Sequence, residues 1–356
     1  MTKTEAKILL KKWFRQHHAH LPWRPDNLNE KRNPYFVWIS EIMLQQTQVE
    51  AVKKHYENWV KDYPDVFTLA RANETDVLLH WQGLGYYSRA KNIHKTAGIL
   101  AEKWNGKFPQ TRPELEALPG IGKYTAGAIL SFAFHQKEPI LDGNLIRIFS
   151  RLHLFDFLPA GKKETGIYWN EAANWAHDRE PHQINEALME LGRVLCKVQN
   201  PLCGQCPLQK ICKAGMQKRT AEFPPKKETI RENWSGVILV IESTDQKILS
   251  IRESDARFLK NQRSLPLFEY SKAHTRGLPG AAEKWVSPEA IADYQWLSKP
   301  VRHSITKFKM ECGVLHIRLK KKAPKNNPMW VPRIQTSNAF ANKLCLKALE
   351  LIEAQS

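Results

Sequence analysis

Four cysteines crowded into one short segment constrain this 356-residue chain more than any other feature. The ligand-like set, spaced C-x6-C-x2-C-x5-C, is Cys196, Cys203, Cys206 and Cys212. The N-terminal stretch is amphipathic and lacks both an apolar core and a small-residue cleavage site, so we expect no secretory signal and no disulfide framework. The thiols therefore predict a metal centre in a reducing compartment. The isolated Cys312 and Cys345 are expected to be small buried side chains.

Two kinds of metal centre fit four neighbouring thiolates. Structural zinc sites usually present two close cysteine pairs separated by a longer spacer, whereas here one short segment wraps around a single centre. A cubane cluster is held by four cysteine ligands. The spacing favours one 4Fe–4S cluster and leaves zinc as the alternative.

The charge balance indicates the kind of partner. Lysine and arginine number 54 against 36 acidic residues, a formal charge of +18, which favours nucleic acid first and an anionic membrane surface second. The longest aliphatic run, residues 237–241, is far shorter than the roughly 20 residues of a membrane-spanning helix, so no membrane partner is expected. Residues 1–230 and 231–356 each carry +9. The shorter part is thus more densely charged, as expected if both parts bind one duplex.

The apolar pattern predicts two domains. Up to about residue 215, apolar residues recur at helical spacings of three and four, and Thr47 with Glu50 forms a capping box that would start one helix. The Pro- and Lys-containing segment 216–232 is typical of a linker. Strands are predicted at 237–241, 248–251, 309–315 and 316–319, followed by a helix over 337–353. We therefore expect domains at 1–215 and 233–356.

The segment 118–122 (LPGIG) predicts a hairpin between two helices, the second beginning at Lys123. Gly120 and Gly122 would let the backbone approach a ligand closely, and the next helix adds the positive end of its dipole. The hairpin thus suggests a cradle for a nucleic-acid phosphate. A plain helix–helix turn is the alternative.

Two carboxylates follow apolar stretches. Glu41 lies within WISEIML and Asp142 within ILDGN. Burial would raise the pKa of such a carboxyl, so that one could act as a general acid while the other stabilises an oxocarbenium-like sugar. Taken singly, Glu41 also fits a helix surface and Asp142 a helix N-cap. Sequence alone does not bring them together.

Six motifs, in order, resemble MutY-type adenine DNA glycosylases of the helix-hairpin-helix superfamily, which also contains endonuclease III. They are 21–24 (LPWR), 40–49 (SEIMLQQTQV), 83–87 (GLGYY), 118–122, 141–144 (LDGN) and the four cysteines. The resemblance is dense from about residue 8 to 212. Beyond residue 230 the chain more thinly resembles the family's MutT-like, Nudix-fold domain. The implied fold is a mainly α-helical helix-hairpin-helix glycosylase domain with an Fe–S loop, followed by an α+β MutT-like domain.

The resemblance assigns catalytic roles. Glu41 matches the acid that protonates adenine N7, Asp142 the carboxylate that stabilises C1′, and Asn144 a residue that helps to hold this arrangement. Tyr124 stands where endonuclease III-like lyases carry the lysine that forms a Schiff base, so an abasic product without efficient strand cleavage is expected.

The resemblance also assigns DNA contacts. The target adenine must leave the base stack to be reached, and Trp23, Arg24 and Glu186 match residues of the pocket that receives it. Gln46 and Tyr86 match residues that wedge into the duplex beside the opposing base. We call these two the wedge residues.

The chain departs from the family at two places. Residues 25–32 form a longer polar stretch than in typical relatives, which would either alter DNA contacts or be an inert loop. The family's 8-oxoguanine-reading Phe-Ser-His loop aligns with Ile305, Thr306 and Lys307, after Ser304. Thr306 keeps a hydroxyl and Lys307 a donor, so a preference for 8-oxoguanine, with weaker discrimination, is expected. No Nudix-type glutamate cluster for magnesium is present in the sequence.

The resemblance implies an enzyme that removes adenine opposite 8-oxoguanine or guanine in double-stranded DNA. We expect a monomer in the bacterial cytoplasm, associated with the nucleoid. Residues 262–268 (QRSLPLF) resemble a sliding-clamp-binding peptide, although packing within the domain is the alternative. Two rival functions are an endonuclease III-like lyase, which Tyr124 opposes, and a non-catalytic Fe–S DNA-binding protein, which Glu41 and Asp142 oppose.

Overall fold

The computed structural model describes residues 1–226, 231–254, 256–260, 262–270, 278–340 and 342–354. The chain divides into two compact units, Met1–Lys227 and Glu228–Ser356. Of the predicted linker 216–232, residues 227–230 lie outside the described residues. The part that precedes them packs into the first unit: Phe223 is buried, and its carbonyl accepts a hydrogen bond from Arg151.

The first unit is helical, as predicted. Its described helices are α1 (Lys3–His17), α2 (Pro34–Leu44), α3 (Val49–Asp62), α4 (Val66–Arg71), α5 (Glu74–His80), α6 (Ser88–Trp104), α7 (Arg112–Glu116), α8 (Lys123–Phe132), α9 (Gly143–His153), α10 (Lys162–Ala176), α11 (Pro181–Val194) and α12 (Lys213–Met216). Within α2, residues 35 and 37–43 are all buried. A helix that is apolar on nearly every side belongs in a protein's interior, so α2 lies in the core.

The predicted capping box at Thr47 is wrong. Helix α3 is capped instead by Gln48, without a side-chain hydrogen bond, and the Thr47 hydroxyl donates to the Gln45 carbonyl. The physical reason is the turn between α2 and α3, where Gln46 adopts a left-handed φ of 55°. The helix therefore begins one residue too late for Thr47 to reach its first amides.

The second unit contains a mixed sheet. The strands are β1 (Glu232–Glu242), β2 (Lys247–Leu249), β3 (Leu267–Glu269), β4 (Ile291–Trp296), β5 (Val301–Ile305), β6 (Phe308–Leu319) and β7 (Trp330–Pro332). Among the described residues they form one seven-stranded sheet in which β1 and β6 pair in parallel along their length. The predicted α+β class of this part is confirmed, while its likeness to MutT-like domains stays a prediction.

Three boundaries in the second unit differ from the prediction. Residues 309–319 belong to the single strand β6 rather than to two, because His316 pairs with Val240 of β1 and hydrogen-bonds the Glu242 side chain, so it does not interrupt the sheet. The predicted strand 248–251 is shortened to β2, with Ile251 in an isolated bridge. The final helix is split into α13 (Thr336–Ala339) and α14 (Lys343–Glu353), because Asn342 caps a new helix.

Both isolated cysteines are buried, as predicted: Cys312 lies on β6 and Cys345 on α14. No helix within the described ranges is both long and apolar enough to cross a membrane.

Candidate active site

A cleft of about 610 Å³ in the first unit brings together side chains from both ends of its sequence. Of the predicted site residues, those lining it are Trp23, Arg24, Glu41, Gln46, Tyr124, Asp142, Asn144 and Glu186. The two carboxylates that sequence alone could not unite, Glu41 and Asp142, therefore share one cavity.

Glu41 is buried rather than a surface charge. Asn33 and Pro34 start α2, and this core helix carries the Glu41 carboxyl, only 5% exposed, to the wall of the cleft. Tyr124 donates a 2.7 Å hydrogen bond to Glu41 Oε2. Burial raises the pKa of Glu41 to about 7, an effect that the bond from Tyr124 opposes and the nearby charge of Glu186 reinforces. At neutral pH this carboxyl can hold a proton to donate.

Asp142 caps helix α9, which confirms one of its two interpretations, and it also faces the cleft, while its catalytic role stays a prediction. Its Oδ1 accepts from the Leu145 amide and its Oδ2 from Asn144 Nδ2, each at 2.9 Å. Burial raises the pKa of Asp142, while these donors and the charge of Arg147 act against that rise. These several hydrogen-bond donors favour the ionised form of Asp142, whereas Glu41 accepts a hydrogen bond from one donor, Tyr124.

The third carboxylate of the cleft is paired with two arginines. Arg24 Nε lies 3.0 Å from Glu186 Oε1, and Arg32 Nη2 lies 2.5 Å from Oε2. Burial would raise the pKa of Glu186, but the two guanidinium groups outweigh it and hold the pKa below its ordinary value. Arg32, which sequence reasoning missed, ends the longer polar stretch 25–32, so the end of this stretch belongs to the cleft.

The wedge residues are both exposed. Gln46 follows α2 and lines the cleft, whereas Tyr86 precedes α6, is 61% exposed and does not line it. Trp23 is buried and packs edge-on against Tyr56, with ring centroids 5.4 Å apart. The alternative of a core aromatic thus holds in part for Trp23, which also faces the cleft, and not for Tyr86.

The predicted hairpin joins α7 and α8. Gly120 has a φ of 79°, and a Cβ there would lie 2.7 Å from Asn92 Cβ, so both conformation and space require glycine. Gly120, Gly122 and Lys123 are exposed and lie outside the cleft. The Lys123 ammonium lies over the Trp169 ring, with Nζ 5.4 Å from the ring centroid, whereas Tyr124, the next residue, points into the cleft. The exposed start of α8 thus retains the geometry of an anion site.

The four clustered cysteines line one small cavity of about 30 Å³. Two donors lie close to their sulfurs: Arg151 Nη1 is 3.3 Å from Cys196 Sγ, and the Gly215 amide is 3.4 Å from Cys212 Sγ. Such donors stabilise thiolate ligands. In the described part of the chain, no three Cys, His, Asp or Glu side chains converge as they would on a single metal ion.

Comparison with known proteins matches both parts of the first unit. Residues 39–167 match the family described as HhH-GPD superfamily base excision DNA repair protein, and residues 196–212 match the iron-sulfur binding domain of endonuclease III. The adenine DNA glycosylase of Buchnera aphidicola subsp. Acyrthosiphon pisum is 37% identical over 243 residues, which cover 67% of this chain and 68% of that protein. The chain belongs to the adenine DNA glycosylase family.

Two further matches cover different shares of the matched proteins. The mouse adenine DNA glycosylase is 40% identical over 215 residues, 59% of this chain but only 42% of the mouse protein. The fold of a thermostable thymine-DNA glycosylase superposes with a TM-score of 0.53 at 23% identity, covering 60% of this chain and 98% of that one. The helix-hairpin-helix glycosylase fold of the first unit is therefore confirmed.

As in the family's iron–sulfur domain, the cofactor is a 4Fe–4S cluster rather than zinc, and the matched segment 196–212 contains all four clustered cysteines. Sequence reasoning missed the arginine that joins the cluster loop to the cleft. Arg147 donates from Nε to the Cys196 carbonyl at 2.7 Å and from Nη2 to Asn144 Oδ1 at 2.8 Å. Asn144 in turn bonds Asp142.

The residues expected to read the lesion belong to the second unit. Ser304 is exposed on β5, and Thr306 and Lys307 form the turn to β6. Thr306 has a φ of 51°, a strained conformation for a β-branched residue. Lys307 forms an ion pair with Glu232, so its charge is partly offset.

The clamp-like segment 262–268 is built into the second unit. Leu265 is 1% exposed, Phe268 lies on β3 and stacks on Trp285, and β3 pairs with β1. This placement agrees with packing within the domain, the alternative to clamp binding. Gln262 remains exposed at its start.

Proposed function

We propose that the protein is a base excision repair enzyme that hydrolyses the N-glycosidic bond of adenine mispaired with 8-oxoguanine or guanine in duplex DNA. The observation that carries the proposal is a cleft with two carboxyls in unlike environments. Glu41 has a pKa of about 7, and Asp142 accepts several hydrogen bonds in the same cavity. Such a division supplies one acid and one stabilising anion.

The reaction follows from these two groups. A flipped adenine enters the cleft, and Glu41 donates its proton to N7, so that the base leaves with the electron pair of the C1′–N9 bond. The Asp142 carboxylate stabilises the positive charge that develops at C1′ until water adds there and gives its proton to the Glu41 carboxylate, which restores the acid. Glu186, held ionised by Arg24 and Arg32, offers hydrogen-bonding groups at the same wall.

The proposed enzyme is monofunctional. A lyase needs an amine that can form a Schiff base with the sugar. Tyr124 occupies that position and is engaged with Glu41, while Lys123 lies outside the cleft, stacked on Trp169. Borohydride should therefore trap no covalent complex, whereas efficient trapping with strand nicking would support the endonuclease III-like rival.

Reading of the opposing base is assigned to the β5–β6 turn. The strained backbone of Thr306 is supported by the surrounding strands, and strain of this kind is common where a residue must present its polar group to a ligand. Its hydroxyl and the exposed Ser304 offer hydrogen-bonding groups to the lesion. Lys307 contributes a donor that Glu232 holds in place.

The decisive experiment is single-turnover base release over a panel of duplexes with enzyme in excess. Adenine should be released opposite 8-oxoguanine and guanine, and not opposite thymine. Glu41→Gln should lose this activity while still binding the duplex. Release of another base, or full release by Glu41→Gln, would refute the proposal, and binding without any release would favour the non-catalytic rival.

A further inference from the structure

The wedge residues share an uncommon backbone conformation. Gln46 has a φ of 55° and Tyr86 a φ of 47°, both in the left-handed region, and both side chains are exposed. Residues other than glycine adopt this conformation at a cost, and they persist there only where their surroundings impose it. Something must therefore hold both turns.

One side chain contacts both turns. Arg89, on α6, donates from Nη1 to the Gln45 carbonyl at 2.6 Å and from Nη2 to the Gly85 carbonyl at 3.1 Å. These are the carbonyls of the residues that immediately precede Gln46 and Tyr86. The same guanidinium is thus bonded to the peptide that enters each left-handed residue.

Further contacts fix the guanidinium itself. Nη1 also donates to the Ile42 and Met43 carbonyls at the end of α2, and Nη2 to the Leu84 carbonyl. Its Cζ lies 5.2 Å from the Trp81 ring and 5.6 Å from the Tyr86 ring. A planar fork can hold several carbonyls at fixed spacing, which an ammonium group cannot do.

We propose that Arg89 is the positioning residue that sets the spacing of the two wedge residues and fixes them to the helix that carries Glu41. This inference rests on the proposed function. Arg89 acts through Gln46 and Tyr86 and has no direct role toward the DNA backbone, because its Nη donors are turned to carbonyls of the protein. Its loss should therefore weaken engagement of the mispair and leave general duplex binding intact.

The test compares Arg89→Lys and Arg89→Gln with the control Lys103→Gln, which removes an exposed charge from the far end of the same helix. Single-turnover adenine release should fall by about tenfold to a hundredfold in both Arg89 variants, as for a misplaced engaging group, and remain unchanged in the control. Affinity for a matched duplex, and the slope of its salt dependence, should stay as in the control. A lost phosphate contact would instead reduce that slope by about 0.9.

The discriminating measurement is a mutant cycle. In a Gln46→Ala/Tyr86→Ala background, Arg89→Lys should cause no further loss of rate, because the groups through which Arg89 acts are gone. A full additional loss in that background, a reduced salt slope, or wild-type release by Arg89→Lys would each overturn the inference. If the wild-type protein released no adenine, the proposed function itself would fail, which is a distinguishable result.

Discussion

Replacement of Glu41 by glutamine should stabilise the first unit and at the same time abolish base release. The side chain is 5% exposed, and a glutamine in its place would keep its shape and an oxygen that accepts the hydrogen bond from Tyr124. What the substitution removes is ionisation. In the wild-type protein, burial raises the pKa of Glu41 from 4.5 to about 7, so deprotonation works against the folded state.

The magnitude follows from proton linkage. Because the pKa is raised on folding, the stability contributed by the protonated carboxyl is fully present below pH 4.5 and is lost as the pH rises to about 7. Each pH unit in that interval is worth about 1.4 kcal/mol, so the whole loss is about 3 kcal/mol. The variant does not titrate at this site. The free energy of unfolding of the variant, relative to that of the wild type, should therefore increase by about 2–3 kcal/mol between pH 5 and pH 8. It should not increase further above pH 8.

The assay is thermal unfolding of both proteins at several pH values, followed by circular dichroism, together with single-turnover base release. An advantage of this size corresponds to several degrees in Tm for a unit of roughly 200 residues. Glu57→Gln, at an exposed position of α3, is the control and should show no comparable trend. The reasoning is refuted if the Tm difference between Glu41→Gln and the wild type is the same at pH 5 and pH 8.

Three further predictions concern the pKa of Glu41, the reading of the opposing base and the salt dependence of duplex binding. Tyr124→Phe removes the bond that opposes protonation of Glu41, so the pKa of this carboxyl should rise further and the high-pH limb of a pH–rate profile should move to higher pH. Thr306→Ala should narrow the differences in affinity and rate between adenine opposite 8-oxoguanine and adenine opposite guanine, measured side by side. Duplex affinity should fall steeply with salt in a binding titration, whereas the rate of base release within the bound complex should change less than about twofold.

The sequence predicted the reacting groups better than the groups that hold them. Glu41 and Asp142 lie far apart in the chain, and only the resemblance placed them in one site; in the structure they line one cleft. Arg32, Arg89 and Arg147 were missed because an arginine that binds internal carbonyls or a buried carboxylate looks, in a chain with a charge of +18, like one more cation for DNA. Only tertiary contacts distinguish an arginine that binds groups inside the protein from one that is available to DNA.

The secondary structure was predictable where pattern and tertiary contacts agreed. The misplaced start of α3 arose because a left-handed residue at Gln46 displaces the helix, and residue pattern does not reveal a φ imposed by Arg89. The sequence prediction divided β6 into two strands at His316, a polar residue within an apolar run. In the structure His316 lies opposite Val240 and hydrogen-bonds the Glu242 side chain two residues further along β1, so a polar residue is accommodated inside the sheet.

The position of Asp142 depends on both ends of α9. At the start of the helix, Asp142 is fixed by its cap bond and by Asn144. Further along, Arg147 and Arg151 stand one turn apart and both bind the cysteine loop, through the Cys196 carbonyl and sulfur. Within residues 196–212 the described regular structure is limited to short 3₁₀ turns. We therefore expect that ligation of the four thiolates would hold the acceptors of both arginines in place and, through Arg147 and Asn144, orient the Asp142 carboxylate, without any change in the oxidation state of the cluster.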